Sequence, residues 1–154
     1  MCRGEGMTPE QLERLKARRD EIITVAMGKC WHISTGGYYC DKCGAYILDE
    51  DSLYSIPNPD YSTPEGWFEL YNWLTKEKPE WWMDFYWWSW RYWIKLYHIE
   101  HINSENHNFT VYLISNLSDL FVQWLAETET GWHEERSYFY TPLGKLMKEV
   151  LDGN

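Results

Sequence analysis

The chain has 154 residues, a formal net charge of −10 and 18% aromatic residues, among them eleven Trp and twelve Tyr. Its length suits one domain with a real core, and its charge argues against direct binding to nucleic acid phosphates, which requires a basic stripe. The most apolar stretch, Trp81 to Ile99, is interrupted by Asp84, Arg91 and Lys95, so no membrane span is expected.

The N-terminal stretch MCRGEGMTPEQLERLKARRDE is polar and lacks the apolar segment of a secretory signal, which points to an intracellular address. Thr8 can cap a helix that opens with Pro9 and carries Gln11 at its third position, a capping-box arrangement. Leu12, Leu15, Ile22, Ile23, Ala26 and Met27 form its apolar stripe, and Gly28 ends it, so one helix is expected over 8–28. The face formed by Glu13, Arg14, Lys16, Arg18, Arg19 and Asp20 reads as solvated.

Residues 29–48 follow as a metal-binding segment. Cys30, His32, Cys40 and Cys43 read Cys-x-His-x7-Cys-x-x-Cys, with Gly36 and Gly37 in the intervening loop and Gly44 after the last cysteine. Two close ligand pairs joined by a short loop match the needs of tetrahedral Zn²⁺. A glycine after Cys43 suits a knuckle, in which backbone N–H groups turn toward the sulfurs. Disulfides or scattered thiols are the competing account, disfavoured by an intracellular address and by the regular spacing. His32 is the least common type of ligand at this spacing, and His133 stands in reserve. Cys2 has no nearby partner. Four protein ligands leave no open position, so the zinc is expected to be structural. The segment itself should form two short strands around the metal.

Acidic Asp49, Glu50 and Asp51 come next, followed by an irregular run through Pro57, Asn58, Pro59, Asp60, Tyr61 and Ser62. Thr63 and Pro64 then open a helix to about Lys76, with Trp67, Leu70, Tyr71 and Leu74 on one face. From Trp88 the sequence alternates, with Trp88, Trp90, Tyr92, Ile94 and Leu96 opposing Ser89, Arg91 and Lys95. That period favours a strand within 81–102. The helical alternative would gather Glu77, Glu80, Asp84, Arg91, Lys95 and His98 into a polar stripe. Residues 103–108 read as a turn, and Phe109 to Ser115 as a second strand closing a hairpin. A helix starting at Asn116 or Ser118 should carry Leu117, Leu120, Phe121, Trp124 and Leu125 inward. His133 to Tyr140 offers a third strand, and Thr141-Pro142 caps a last helix through Leu143, Leu146, Met147, Val150 and Leu151. The expected fold is therefore α+β: a small antiparallel sheet flanked by helices, with a zinc knuckle or ribbon inserted near the N-terminus.

The segments MGKCWH, YYCDKCG and NPDYSTPEGWFELYNWL, taken together, resemble a group of small phage-encoded proteins. More loosely, the chain is similar to the phage alpha-beta-alpha sandwich family, in which helices opening with Tyr-Ser-Thr and Thr-Pro caps flank a small antiparallel sheet. Tyr61-Ser62-Thr63 and Thr141-Pro142-Leu143 occupy those positions here. The resemblance implies a phage origin, hence a place in the cytoplasm of an infected bacterial host, and implies little chemistry.

Phosphate-cradling glycine loops, a Gly-x-Ser-x-Gly elbow and a His-Glu-x-x-His helix are absent from the sequence. His98 and His101 could share a second metal only on a helix, because on a strand they face opposite ways. Glu134-Glu135 and the 49–51 acids read as solvated surface rather than an acid–base pair. The expected function is non-enzymatic: a zinc-stabilised accessory protein that binds and inhibits a host protein, with a defence factor such as a nuclease as the expected target. Trp82, Tyr86, Trp87 and Trp88 would anchor the partner and Asp49, Glu50 and Asp51 would form an acidic rim, unless those aromatics are core. The alternative is a sponge for a nucleotide signal, with Arg91 and Lys95 as its cations.

Overall fold

A computed structural model describes residues 7–34, 36–47, 58–90, 109–127 and 141–153. Six helices occur among them: α1 (Pro9–Ala17), α2 (Arg19–Ala26), α3 (Pro64–Glu77), α4 (79–90), α5 (Phe109–Glu127) and α6 (Pro142–Asp152).

Short-range chemistry sets most helix ends. The Thr8 hydroxyl accepts from the Gln11 N–H at 3.1 Å while the Gln11 side chain accepts from the Thr8 N–H at 3.0 Å, so α1 opens with a complete capping box. Thr63 and Thr141 cap α3 and α6 through the hydroxyl alone, each accepting from the N–H of a glycine three residues on, with proline in the first turn. After α2 the Lys29 N–H reaches back to the Thr24 carbonyl and the Gly28 N–H to the Val25 carbonyl. Gly28 takes φ +77° between them, the pattern of a Schellman stop. The single helix expected over 8–28 is two, because Arg18 leaves helical geometry (φ −112°, ψ 20°). Its N–H still bonds Arg14 and its carbonyl still accepts from Ile22, so the chain re-enters a helix at once.

The expected α+β fold is overturned. Among the described residues there is no sheet, and the only β pairing is an isolated antiparallel bridge between Tyr39 and Tyr46 inside the metal segment, where two strands were expected. Residues 88–90, read as the start of a strand, belong to α4, and Phe109 to Ser115, read as its hairpin partner, form the first part of α5. The expected helix start at Asn116 or Ser118 falls inside α5; Ser118 is buried and donates its hydroxyl to the Tyr61 carbonyl at 2.6 Å instead of capping. The remainder of the predicted first strand (91–102) and the third strand at His133–Tyr140 lie outside the described residues.

Packing explains why the helical alternative prevails. α5 meets α1, α2 and α3, and α6 closes against α1 and α2. Phe121, Trp124, Leu125, Ile22, Ile23, Leu70, Leu74 and Met147 are wholly buried in this core. The inner face of α4 supplies Trp81, Phe85 and Trp88, at the four- and three-residue spacing of a helix. Phe85 meets Phe121 and Trp124 edge-on, with ring centroids 5.6 and 5.8 Å apart, and Trp81 meets Trp124 at 5.9 Å. Edge-to-face pairs add about 0.5–1.5 kcal/mol each beyond the area they bury. The Trp124 indole N–H donates to Asp84 at 2.8 Å, so its polar edge is satisfied. β-forming residue types in these segments yield to contacts that only helices can make.

Two polar clamps join elements distant in sequence. Arg14 donates to the carbonyls of Val150 and Leu151, both at 2.8 Å, answering the open C-terminal turn of α6 from α1. Arg19 pairs with Asp20 at 3.1 Å and Asp119 at 3.0 Å, bridging α2 to α5, and lies 3.7 Å from Asp60.

The loop before α3 presses directly on its first turn. A Cβ at Gly66 would collide with the Asp60 carbonyl oxygen and lie 2.7 Å from the Tyr61 Cα. Both obstacles are backbone, so they have little room to retreat. Gly66→Ala is expected to destabilise the fold by about 2 kcal/mol, despite alanine's better helix propensity. Thermal unfolding followed by circular dichroism checks this: a melting temperature equal to or above the parent's would contradict the close approach.

Candidate metal centre and aromatic face

The metal segment leaves α2 at Gly28 and is moored twice near its start. Lys29 pairs with Glu69 of α3 at 2.8 Å. The Asn58 side chain holds the backbone of His32 from two sides, its Oδ1 accepting from the His32 N–H at 2.8 Å and its Nδ2 donating to the His32 carbonyl at 2.9 Å. An amide placed this way mimics a strand partner and leaves the imidazole free to turn toward the cysteines. Within the segment, the Cys40 N–H bonds the Ala45 carbonyl, the Asp41 N–H bonds the Ile33 carbonyl, and the Gly44 N–H returns to the Cys40 carbonyl. Gly44 takes φ +75°, a conformation costly for a residue with a Cβ, which is why the turn after Cys43 needs glycine.

This frame brings Cys30, His32, Cys40 and Cys43 together, with one ligand atom of each within 4.8 Å of all the others. The Sγ atoms of Cys30 and Cys40 are 3.8 Å apart, and the Cys43 Sγ is 3.4 Å from the His32 Nδ1. The three cysteines are free thiols, graded from buried Cys40 through half-buried Cys30 to exposed Cys43. Burial would raise the Cys40 pKa. Backbone N–H groups of Cys43, Ile33 and Lys42, with the His32 ring, outweigh it and hold the thiol down at about 5. The Lys42 N–H, 3.4 Å from the sulfur, is one of these donors. Burial and the neighbouring thiols of Cys43 and Cys40 push Cys30 the other way, to about 11. Thiolates this close repel one another, and a bound cation relieves that repulsion. The donor set can hold a metal ion.

Of the aromatics expected to anchor a partner, the structure separates two from two. Tyr86 and Trp87 point outward, 44% and 53% exposed. Trp82 and Trp88 are partly buried against the core. Met83 and Trp90, not among the expected anchors, join the outward pair at 52% and 50% exposure. Together Met83, Tyr86, Trp87 and Trp90 repeat at i, i+3, i+4 and i+7, a signal legible only once the segment is taken as helical. Asn58, the other omission, carries no local sign of its role because its partner lies 26 positions away. Asp49, Glu50, Asp51, Cys2, Arg91, Lys95, His98, His101, His133, Glu134 and Glu135 lie outside the described residues. Among the described residues, no helix is long and apolar enough to cross a membrane. No protein-family model, curated protein or solved structure matches the chain.

The Asn58 clamp yields a measurable consequence. Asn58→Ala removes both bonds to the His32 backbone without touching a ligand, and is expected to weaken metal affinity by about 10–100-fold. Competition with a chromophoric chelator measures this; an unchanged affinity would show that His32 is held by other contacts.

Proposed function

We propose that the chain is a non-enzymatic, zinc-stapled binding protein that captures a host protein through the outward aromatic face of α4. Zinc is the metal that best suits three thiolates and an imidazole. Zn–S bonds of about 2.3 Å and Zn–N bonds of about 2.0–2.1 Å imply tetrahedral edges of about 3.8 Å between sulfurs and about 3.6 Å between sulfur and nitrogen. The Cys30–Cys40 and Cys43–His32 separations of 3.8 and 3.4 Å lie close to those edges. Four protein ligands fill the coordination shell, so the metal supports folding and leaves no position for a substrate or a reactive water. Holding residues 29–47 in place is its role, since ligand binding and local folding share one free energy.

The observation that carries the binding proposal is the outward stripe of four large residues on a helix whose inner face is already satisfied. Monomeric proteins rarely leave such contiguous apolar surface uncovered without a use for it. Tryptophan and tyrosine are the residue types that most often dominate binding energy at interfaces. The motif resemblance to phage proteins supplies the setting: an accessory protein in an infected bacterium, with a host defence factor such as a nuclease as the expected target. The net charge of −10 suits a partner with a basic surface.

Two experiments address the two halves of this proposal. Cys40→Ser is expected to abolish zinc in the purified protein by elemental analysis and to collapse amide dispersion across 29–47. Equal melting temperatures for variant and parent, with no metal in either, would refute the staple. Separately, tagged protein should recover one host protein from lysate, undiminished by nuclease treatment and lost in Trp87→Arg. Recovery that survives Trp87→Arg would place the binding surface elsewhere.

A further inference from the structure

The apolar surface of α4 does not end with its own stripe. Trp87 meets Tyr86 at 5.6 Å, Tyr86 meets Trp82 at 5.9 Å, and Trp82 meets Tyr71 of α3 edge-on at 5.0 Å. Phe68, one turn before Tyr71, is also exposed. The result is a two-helix aromatic platform, with Met83 and Trp90 between Tyr86 and Trp87 on the α4 face.

Carboxylates border that platform. On the α4 wheel Glu80 and Asp84 flank the stripe on one side, beyond Trp87, and Glu77 precedes it at the end of α3. Residues 64–90 carry five carboxylates and two lysines. Glu65, Glu77 and Glu80 have no ion-pair partner among the described residues, while Glu69 is taken by Lys29. One of the two lysines, Lys78, is turned onto the Trp81 ring, 5.2 Å from its centroid. The platform therefore combines an aromatic and methionine centre with net negative charge at its border.

Resting on the binding proposal above, we infer the chemistry of what it takes: the α3–α4 face is a seat for a basic amphipathic helix presented by the partner protein. Apolar side chains of that helix, spaced i, i+3 or i+4, and i+7, would interdigitate with Met83, Tyr86, Trp87 and Trp90. Its lysines and arginines would meet Glu77, Glu80 and Asp84. Charge disfavours the other occupants. A second copy would set the Glu80 and Asp84 border of one chain near that of the other, each chain carrying −10. Nucleic acid and anionic lipid would meet the same carboxylates with like charge.

The full-length, metal-loaded protein can be titrated calorimetrically with a synthetic helix of leucine and lysine in helical order. Two controls accompany it: the same composition in strictly alternating order, and a leucine–glutamate helix. The leucine–lysine helix alone should bind, less tightly as salt rises. Trp87→Arg should weaken it by about tenfold or more, and Glu80→Lys by a smaller factor with a flatter salt dependence. Both variants sit on the surface and should keep the parent's circular dichroism and melting temperature, which separates lost binding from lost folding. Equal binding of the alternating peptide, or indifference to Trp87→Arg, would overturn the inference by reducing the contact to bulk charge. Concentration-dependent dimerisation abolished by Trp87→Arg would assign the face to a second copy, and would likewise overturn it. If the leucine–lysine helix fails while Trp87→Arg still abolishes capture of the host protein, the helical occupant is wrong and the binding proposal stands.

Discussion

The backbone of Tyr61 is the point on which the parts of the molecule converge. This residue is buried outside any helix, so its N–H and C=O cannot rely on water or on a helical ladder, and leaving either unpaired would cost about 1–3 kcal/mol. Asp20 of α2 accepts from the N–H at 2.9 Å, and Ser118 of α5 donates to the carbonyl at 2.6 Å. The phenol finishes against the Met27 sulfur at 3.3 Å, and burial pushes its pKa up to about 12, so it remains neutral. One loop residue thus fixes α2 and α5 relative to each other and sets where α3 begins. Gly66 has no room for a side chain because this loop lies across it.

The same loop carries the constraint outward. Asn58 lies three residues before Tyr61, and its amide grips the backbone of His32. The path from the buried core to the metal centre is therefore covalent along 58–61 and hydrogen-bonded at each end. Lys29 and Glu69 add a second, exposed mooring. Such an exposed pair contributes little energy, whereas the Asn58 bonds are two neutral contacts in a half-buried setting. The candidate ligand cluster and the packing of α2, α3 and α5 are consequently parts of one structure, although those four side chains lie outside the helical core.

Aromatic residues are divided between two tasks by the geometry of α4. Trp81, Phe85 and Trp88 lie on one side and join Phe121 and Trp124 in a network of edge-on and stacked rings. Met83, Tyr86, Trp87 and Trp90 lie on the other, against solvent. A helix this apolar around its circumference would normally be buried on all sides. Here the inner half satisfies the core, and the outer half is surplus to it. That surplus, bordered by carboxylates of which Glu77 and Glu80 have no ion-pair partner among the described residues, gives the face its proposed use.

Sequence alone determined what depends on neighbours within a few residues: the threonine caps with their prolines, the Gly28 stop, the apolar stripes of α3 and α6, and the four donors around a glycine-ended knuckle. Each follows from hydrogen bonds or steric limits that span three to five positions, and these hold whatever the rest of the chain does. Tertiary structure decided the state of 79–90 and 109–115, where aromatic and β-branched residues fit either period and local propensity leans toward strand. Contacts among Phe85, Phe121 and Trp124, distant along the chain, select the helix in α4 and thereby turn Trp87 out and Trp88 in. Asn58 likewise acquires its role only from a residue 26 positions away. Local signals fix the capped ends at Thr8, Gly28, Thr63 and Thr141 but not the break at Arg18 or the start of α5; which side of a uniformly apolar segment faces inward is settled only by the surface it packs against.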